Sequence, residues 1–162
     1  MKTLLPLVGV CLCLPLATFA AEPKKEFIER FDPAFDALVA ADAKVERLAE
    51  GYRWSEGPLW YQGALIFSDV PENVIYRWEE GMTKAEVFLK PSGLLQPNSD
   101  FREPGSNGLT LDRQGRLLVA QHGERRIARY ENGMWTTIAD RFEGKRLNTP
   151  NDLAVRRNGE VY

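Results

Sequence analysis

From residue 52 onward, apolar side chains come in short runs broken by polar pairs that end in glycine. Runs at Pro58–Tyr61, Ala64–Ser68, Asn73–Trp78 and Ala85–Leu89 are rich in β-branched and aromatic residues. Gln62-Gly63 and Glu80-Gly81 separate them as two-residue turns. The pattern predicts one antiparallel sheet of four strands. A second set follows at Leu109–Asp112, Arg116–Gln121, Arg126–Tyr130 and Trp135–Ala139, with turns at Gln114-Gly115 and Asn132-Gly133. Within it, Leu117-Leu118-Val119-Ala120 is apolar on both faces, as a strand packed on both sides of its sheet must be. A third set opens at Asn151, turns at Asn158-Gly159 and is in mid-strand at Tyr162. Upstream, Ala43–Glu46 alternates as a half-exposed strand does, and the alternation slips at Arg47-Leu48. Residues 90–105 (three prolines, two glycines) and 140–147 read as loops between sheets.

The sets repeat. EGPLWYQGALIFSD from Glu56, NGLTLDRQGRLLVA from Asn107 and NDLAVRRNGEVY from Asn151 align with one another, at spacings of 51 and 44 residues. A period of roughly 40–50 residues with several short strands per unit is the mark of a β-propeller. Equivalent positions of successive blades converge on the central axis, so Glu56, Asn107 and Asn151 are expected to meet at one end of it. A carboxylate and two amides form an oxygen-lined site. That suits a hard divalent cation, Ca²⁺ before Mg²⁺, and suits Zn²⁺ poorly without Cys or His ligands.

Composition is that of an ordinary globular chain, with 44% hydrophobic and 27% charged residues among 162 and a net charge of −2. No basic run suggests nucleic acid. Residues 1–20 have the layout of a secretory signal: Lys2, an apolar stretch from Leu4 to Leu16, and small residues at Thr18 and Ala20. Cleavage after Ala20 removes Lys2 and leaves a charge of −3. It also removes both cysteines, Cys11 and Cys13, so the mature chain reaches a periplasmic or secreted location without disulfides. Residues 21–42 form a lead-in whose Phe27, Phe31, Phe35 and Leu38 recur at helical spacing, interrupted by Pro33. Asp32 or Asp36 is placed to cap a short turn there. Residues 43–162 form the partial propeller domain.

Other polar residues are candidates of lesser weight. Asn148 precedes the fixed turn Thr149-Pro150 and either caps that loop or reaches the substrate. His122, the only histidine, sits where a strand gives way to a loop and is a candidate pocket residue. Asn107 is placed to contact metal or substrate, with Ser106 as a neighbouring hydroxyl. Asp152, on the opposite strand face to Asn151, and Asp69, at a strand end, are expected to hold loops. Arg146 lies just before the organising Asn148–Asp152 stretch. A Gly-x-Ser-x-Gly elbow, a phosphate-binding glycine loop and a metal-binding histidine pair are all absent from the sequence.

Trp54-Ser55-Glu56-Gly57-Pro58-Leu59-Trp60, Phe67-Ser68-Asp69, Ser106-Asn107-Gly108-Leu109 and Asn148-Thr149-Pro150-Asn151-Asp152 together resemble the gluconolactonase, senescence-marker-protein and regucalcin-like family. The resemblance runs from about residue 33 to the end. It implies an all-β, six-bladed β-propeller, of which these residues hold about two blades and the start of a third. It implies a divalent cation, usually Ca²⁺, with Mg²⁺, Mn²⁺ or Zn²⁺ as alternatives, held by Glu56 and Asn151. It implies hydrolysis of a small-molecule sugar lactone by a protein that is monomeric when full length. From their own positions in the sequence, Asn107, Asn148 and His122 are expected to line the substrate. The family's further Asn ligand and its base, an Asp, fall later than residue 162. The chain by itself is accordingly expected to be inactive. Thr149 stands where some members carry Arg. The alternatives are a non-enzymatic envelope propeller with a structural cation, and a lactonase or phosphotriesterase for non-sugar substrates.

Overall fold

The computed structural model describes residues 28–96 and 101–162. The signal-like segment therefore lies outside the described residues. The chain divides into two compact units, Met1–Glu46 and Arg47–Tyr162. In the first, Pro33–Ala37 form one 3-10 turn. Asp32 caps it as expected, its carboxylate accepting from the Ala34 N–H at 2.7 Å. Arg30 ties off the far end, donating to Asp36 and to the carbonyls of Val39 and Ala40.

The second unit holds two four-stranded antiparallel sheets. The first contains β1 (Ser55–Tyr61), β2 (Ala64–Asp69), β3 (Val74–Trp78) and β4 (Glu86–Leu89). The second contains β5 (Leu109–Leu111), β6 (Leu117–Gln121), β7 (Arg126–Glu131) and β8 (Met134–Ala139). Each runs in sequence order, so every neighbour is joined by a local connection. Gln62-Gly63 and Asn132-Gly133 carry positive φ at both central residues, the twist that tight hairpins need. All eight strands match the runs read from the sequence to within a residue or two, except that β1 begins earlier, at Ser55.

Alternation assigns each sheet two apolar faces. Ile66 and Ile75 of the first sheet meet Leu109, Leu117 and Val119 of the second, with Leu59, Tyr61, Phe88, Leu89, Tyr130 and Trp135 around them. The opposite face of the first sheet, Phe67 and Trp78 with Leu65 and Tyr76, packs on Ala49 and Tyr52. The opposite face of the second, Leu118, Ala120 and Ile127, packs on Leu153 and Val155 of the third repeat. Sheets stacked face on face with apolar residues on both sides are the packing of propeller blades.

Three expectations are corrected. Ala43–Glu46 is not a strand; alternation supplies a face, but a strand also needs a ladder partner, and none pairs with it among the described residues. Residues 140–147 are not a plain loop. Arg141–Phe142 (β9) and Lys145–Arg146 (β10) pair across Glu143-Gly144, both at positive φ. Asn151 does not begin a regular strand: the third repeat is held by a Val155–Val161 bridge and by Ala154–Tyr162 backbone bonds.

Ile66 is fully buried between the two sheets. Ile66→Ala in the full-length protein is expected to lower stability by about 2–5 kcal/mol, because the rigid ladders on either side prevent the hole from collapsing. Urea unfolding midpoints check this, and a loss comparable to that of a surface alanine substitution would contradict the packing.

Candidate metal and substrate site

Glu56 is aimed by a defect in its strand. β1 pairs regularly at Ser55↔Asp69 and Glu56↔Ser68, and then resumes at Leu59↔Ile66 with one extra residue in β1. Gly57 supplies the bulge with φ +54. It also lets the two sheets touch, since a Cβ there would lie 2.5 Å from the Asn107 carbonyl oxygen and 2.8 Å from the Leu109 nitrogen. Before the bulge, Asp69 accepts from the Arg53 and Trp54 N–H groups at 2.9 and 3.2 Å, fixing the approach to β1 in the loop-holding role expected of it. The Trp54 indole N–H then donates to Glu56 Oε1 at 2.9 Å, orienting the carboxylate.

Opposite stands the third repeat. Gly108 donates its N–H to the Asn151 carbonyl at 2.8 Å, and a Cβ on Gly108 would collide with Asp152. Between these backbones lies a cavity of about 300 Å³ lined by Glu56, Gly57, Pro58, Gly108, Leu109, Asn151 and Asp152. Glu56 and Asn151, far apart in sequence, thus share one pocket. Asp152 joins them rather than turning away, because this segment lacks the strand geometry that would put neighbours on opposite faces. One of its oxygens also accepts from the Leu153 N–H.

Asn107 lies directly behind the Gly57–Gly108 wall and is 2% exposed. Its carbonyl accepts from Ser68 Oγ, which also bonds Ser106 Oγ at 2.7 Å. Ser106 is therefore a strut between the sheets. The Asn107 amide nitrogen lies 3.0 Å from His122 Nδ1, and His122 Nε2 is 3.6 Å from the Glu103 carboxylate. Asn107 Oδ1 is buried without a hydrogen-bond partner. Burial holds the His122 imidazole below its usual pKa, against a weaker upward pull from Glu103. Asn148 is exposed and outside the cavity lining. Arg146 donates to the Glu124 carbonyl on the exposed side.

The donors suit a hard cation. The cavity is lined by two acidic residues and an asparagine, with no His, Cys or Met among them. Among the described residues no three His, Cys, Asp or Glu side chains cluster, so a bound ion would rely on amide oxygens and water beside Glu56. Sequence reasoning missed Trp54 and Glu103 as neighbours of the site, and the Asn107–His122 bond. That bond follows from the register: Asn107 pairs its N–H with Ala120, which places the residue two beyond Ala120 alongside it.

A family model described as SMP-30/Gluconolactonase/LRE-like region matches residues 54–162. A gluconolactonase of Zymomonas mobilis subsp. mobilis is 38% identical over 141 residues, covering 83% of this chain and 39% of that protein. The solved structure of a putative gluconolactonase superposes with a TM-score of 0.67 at 37% identity, over 80% of this chain and 42% of its own. A gluconolactonase from Xanthomonas campestris, described as important in glucose secondary metabolic pathways, superposes at 0.57 with 35% identity, over 68% and 34%. The chain belongs to the SMP-30/gluconolactonase/LRE-like family. It spans well under half the length of these relatives.

The His122 shift has a determined sign. A folded pKa below the ordinary value of 6.5 means that the unfolded chain binds more protons near that pH. The stabilising contribution is then complete above 6.5 and declines as pH falls through 6.5 towards the folded value. His122→Asn, which does not titrate there, is expected to lose less stability than the wild type between about pH 7.5 and about pH 5.5. Denaturant midpoints at both values check it; parallel losses would contradict the buried neutral imidazole.

Proposed function

We propose that the protein acts as a divalent-cation-dependent hydrolase of sugar lactones, in an exported six-bladed propeller that is monomeric when full length. The observation that carries this reading is the convergence of Glu56 and Asn151 on one oxygen-lined cavity. Membership of the family and the gluconolactonase relatives support the substrate class.

Glu56 and Asn151 would hold the cation, with Asp152 close by. Ca²⁺ fits the donor set best, and Mg²⁺ or Mn²⁺ better than Zn²⁺. When bound, the ion supplies Lewis acidity toward the lactone carbonyl. The chain's own residues set the geometry. Trp54 occupies one oxygen of Glu56, so the carboxylate meets its ligand from a fixed direction. Gly57 and Gly108 let the backbones of successive repeats touch, which fixes the walls of the cavity.

Glu56→Gln in the full-length protein is expected to weaken Ca²⁺ binding by at least about tenfold, since it removes the charge that offsets the ion's dehydration. Calorimetry giving the wild-type affinity would exclude Glu56 as a ligand. A pH-stat assay on glucono-1,5-lactone is expected to show a rate above spontaneous opening that chelator abolishes and Ca²⁺ restores. No enzymatic rate with any of Ca²⁺, Mg²⁺, Mn²⁺ or Zn²⁺ would favour an envelope propeller with a structural cation, and a rate only on non-sugar lactones or phosphotriesters would move the substrate class.

A further inference from the structure

We propose that Trp54 is a positioning residue that holds Glu56 to a single free carboxylate oxygen, and so sets how strongly the cavity discriminates Ca²⁺ from the smaller Mg²⁺. The inference rests on the functional reading above, which makes Glu56 a cation ligand, and adds to it what decides between cations there.

A carboxylate can meet a cation through one oxygen or clasp it through both. The choice separates the two ions. Ca²⁺ gathers many oxygens at flexible angles and takes carboxylates either way. Mg²⁺ demands near-octahedral geometry, which the narrow bite of a two-oxygen clasp does not fit. A hydrogen bond to a ligating carboxylate therefore tunes what that carboxylate binds.

In this chain one of the two oxygens is already engaged. The Trp54 indole N–H donates to Glu56 Oε1 at 2.9 Å. A bond to an ionised acceptor is stronger than one between neutral groups, and it draws charge from Oε1, which weakens that oxygen as a second ligand. Among the described residues no other group donates to the Glu56 carboxylate, so Oε2 is the oxygen left free.

The donor is held in place by its backbone. The Trp54 main-chain N–H donates to Asp69 Oδ1 at 3.2 Å, and its carbonyl accepts from the Val70 N–H at 3.2 Å. Asp69 is fully enclosed at the end of β2, and its other oxygen takes the Arg53 N–H. Glu56 is in register with Ser68 of the same strand, just before the bulge at Gly57. Donor and acceptor are thus both referenced to β2. The indole ring itself is 43% exposed and lies outside the apolar clusters of the sheets. Its contact with Glu56 is therefore not a by-product of core packing.

The test measures calorimetric affinities of the full-length protein for Ca²⁺ and for Mg²⁺, each added alone and without lactone. Two replacements are compared. Trp54→Phe removes the donor together with part of the ring. Replacement of Trp54 by 3-benzothienylalanine keeps the fused rings and puts sulfur in place of the N–H, and it carries the test if Trp54→Phe fails to fold. Both are expected to raise the ratio of the Mg²⁺ Kd to the Ca²⁺ Kd by roughly three- to tenfold, because the freed Oε1 is a ligand that Ca²⁺ can use and Mg²⁺ cannot. A wild-type ratio in the sulfur analogue overturns the inference, whatever Trp54→Phe does. Parallel losses of both affinities with the ratio unchanged also overturn it, since a merely structural residue would act that way. If the wild type binds neither cation, or if Glu56→Gln binds Ca²⁺ as the wild type does, the functional reading falls and takes this one with it.

Discussion

The contact on which the rest of the structure depends is the meeting of β1 with the Asn107–Leu109 backbone at Gly57. Two strands from different sheets approach there so closely that no side chain fits between them. The approach brings Ser68 and Ser106 within hydrogen-bond reach of each other and lets Ser68 bond the Asn107 carbonyl. It puts a bulge where the strand leaves the core, which aims Glu56 into the cavity. Gly108 repeats the device one repeat later, against Asn151 and Asp152. The site is therefore made of backbones that touch, with polar side chains set around the seam.

Most of the fold was legible because it rests on local rules. Period-two apolar runs and glycine-ended turns are properties of the sequence itself, and all eight strands of the two sheets appeared where those rules put them. The failures share a cause. Ala43–Glu46 has the alternation of a strand, but pairing is a property of the neighbour, which a local pattern does not contain. Residues 140–147 formed a two-residue ladder too short to leave a periodic trace, and only Glu143-Gly144 hinted at its turn. The third repeat copied the pattern of the earlier two without their regular ladder.

The site was legible through the repeat, and only to the depth that a repeat allows. Alignment of Glu56 with Asn151 anticipated that they would share a pocket, because equivalent positions in stacked units converge. It placed Asn107 in the same slot, yet that residue sits behind the wall with its amide bound to His122. The difference is one of side-chain direction, which depends on the bulge at Gly57 and on the hairpin register beyond Ala120. Neither has a period. Trp54 escaped notice for a similar reason: its role toward Glu56 comes from the bend before the bulge, where strand alternation does not apply.

The sequential strand order within each sheet also bears on how the chain reaches this arrangement. Every ladder joins neighbours in sequence, so each sheet assembles by successive hairpin closures with little loop entropy to overcome. The bonds that define the cavity are of another kind, since they link residues on separate sheets and on the third repeat. Secondary structure can thus be complete in each sheet before Glu56, Asn107 and Asn151 have been brought together. In kinetic terms the pocket is a late product, formed when preassembled sheets dock, and substitutions along its seam should speed unfolding more than they slow the early steps of folding.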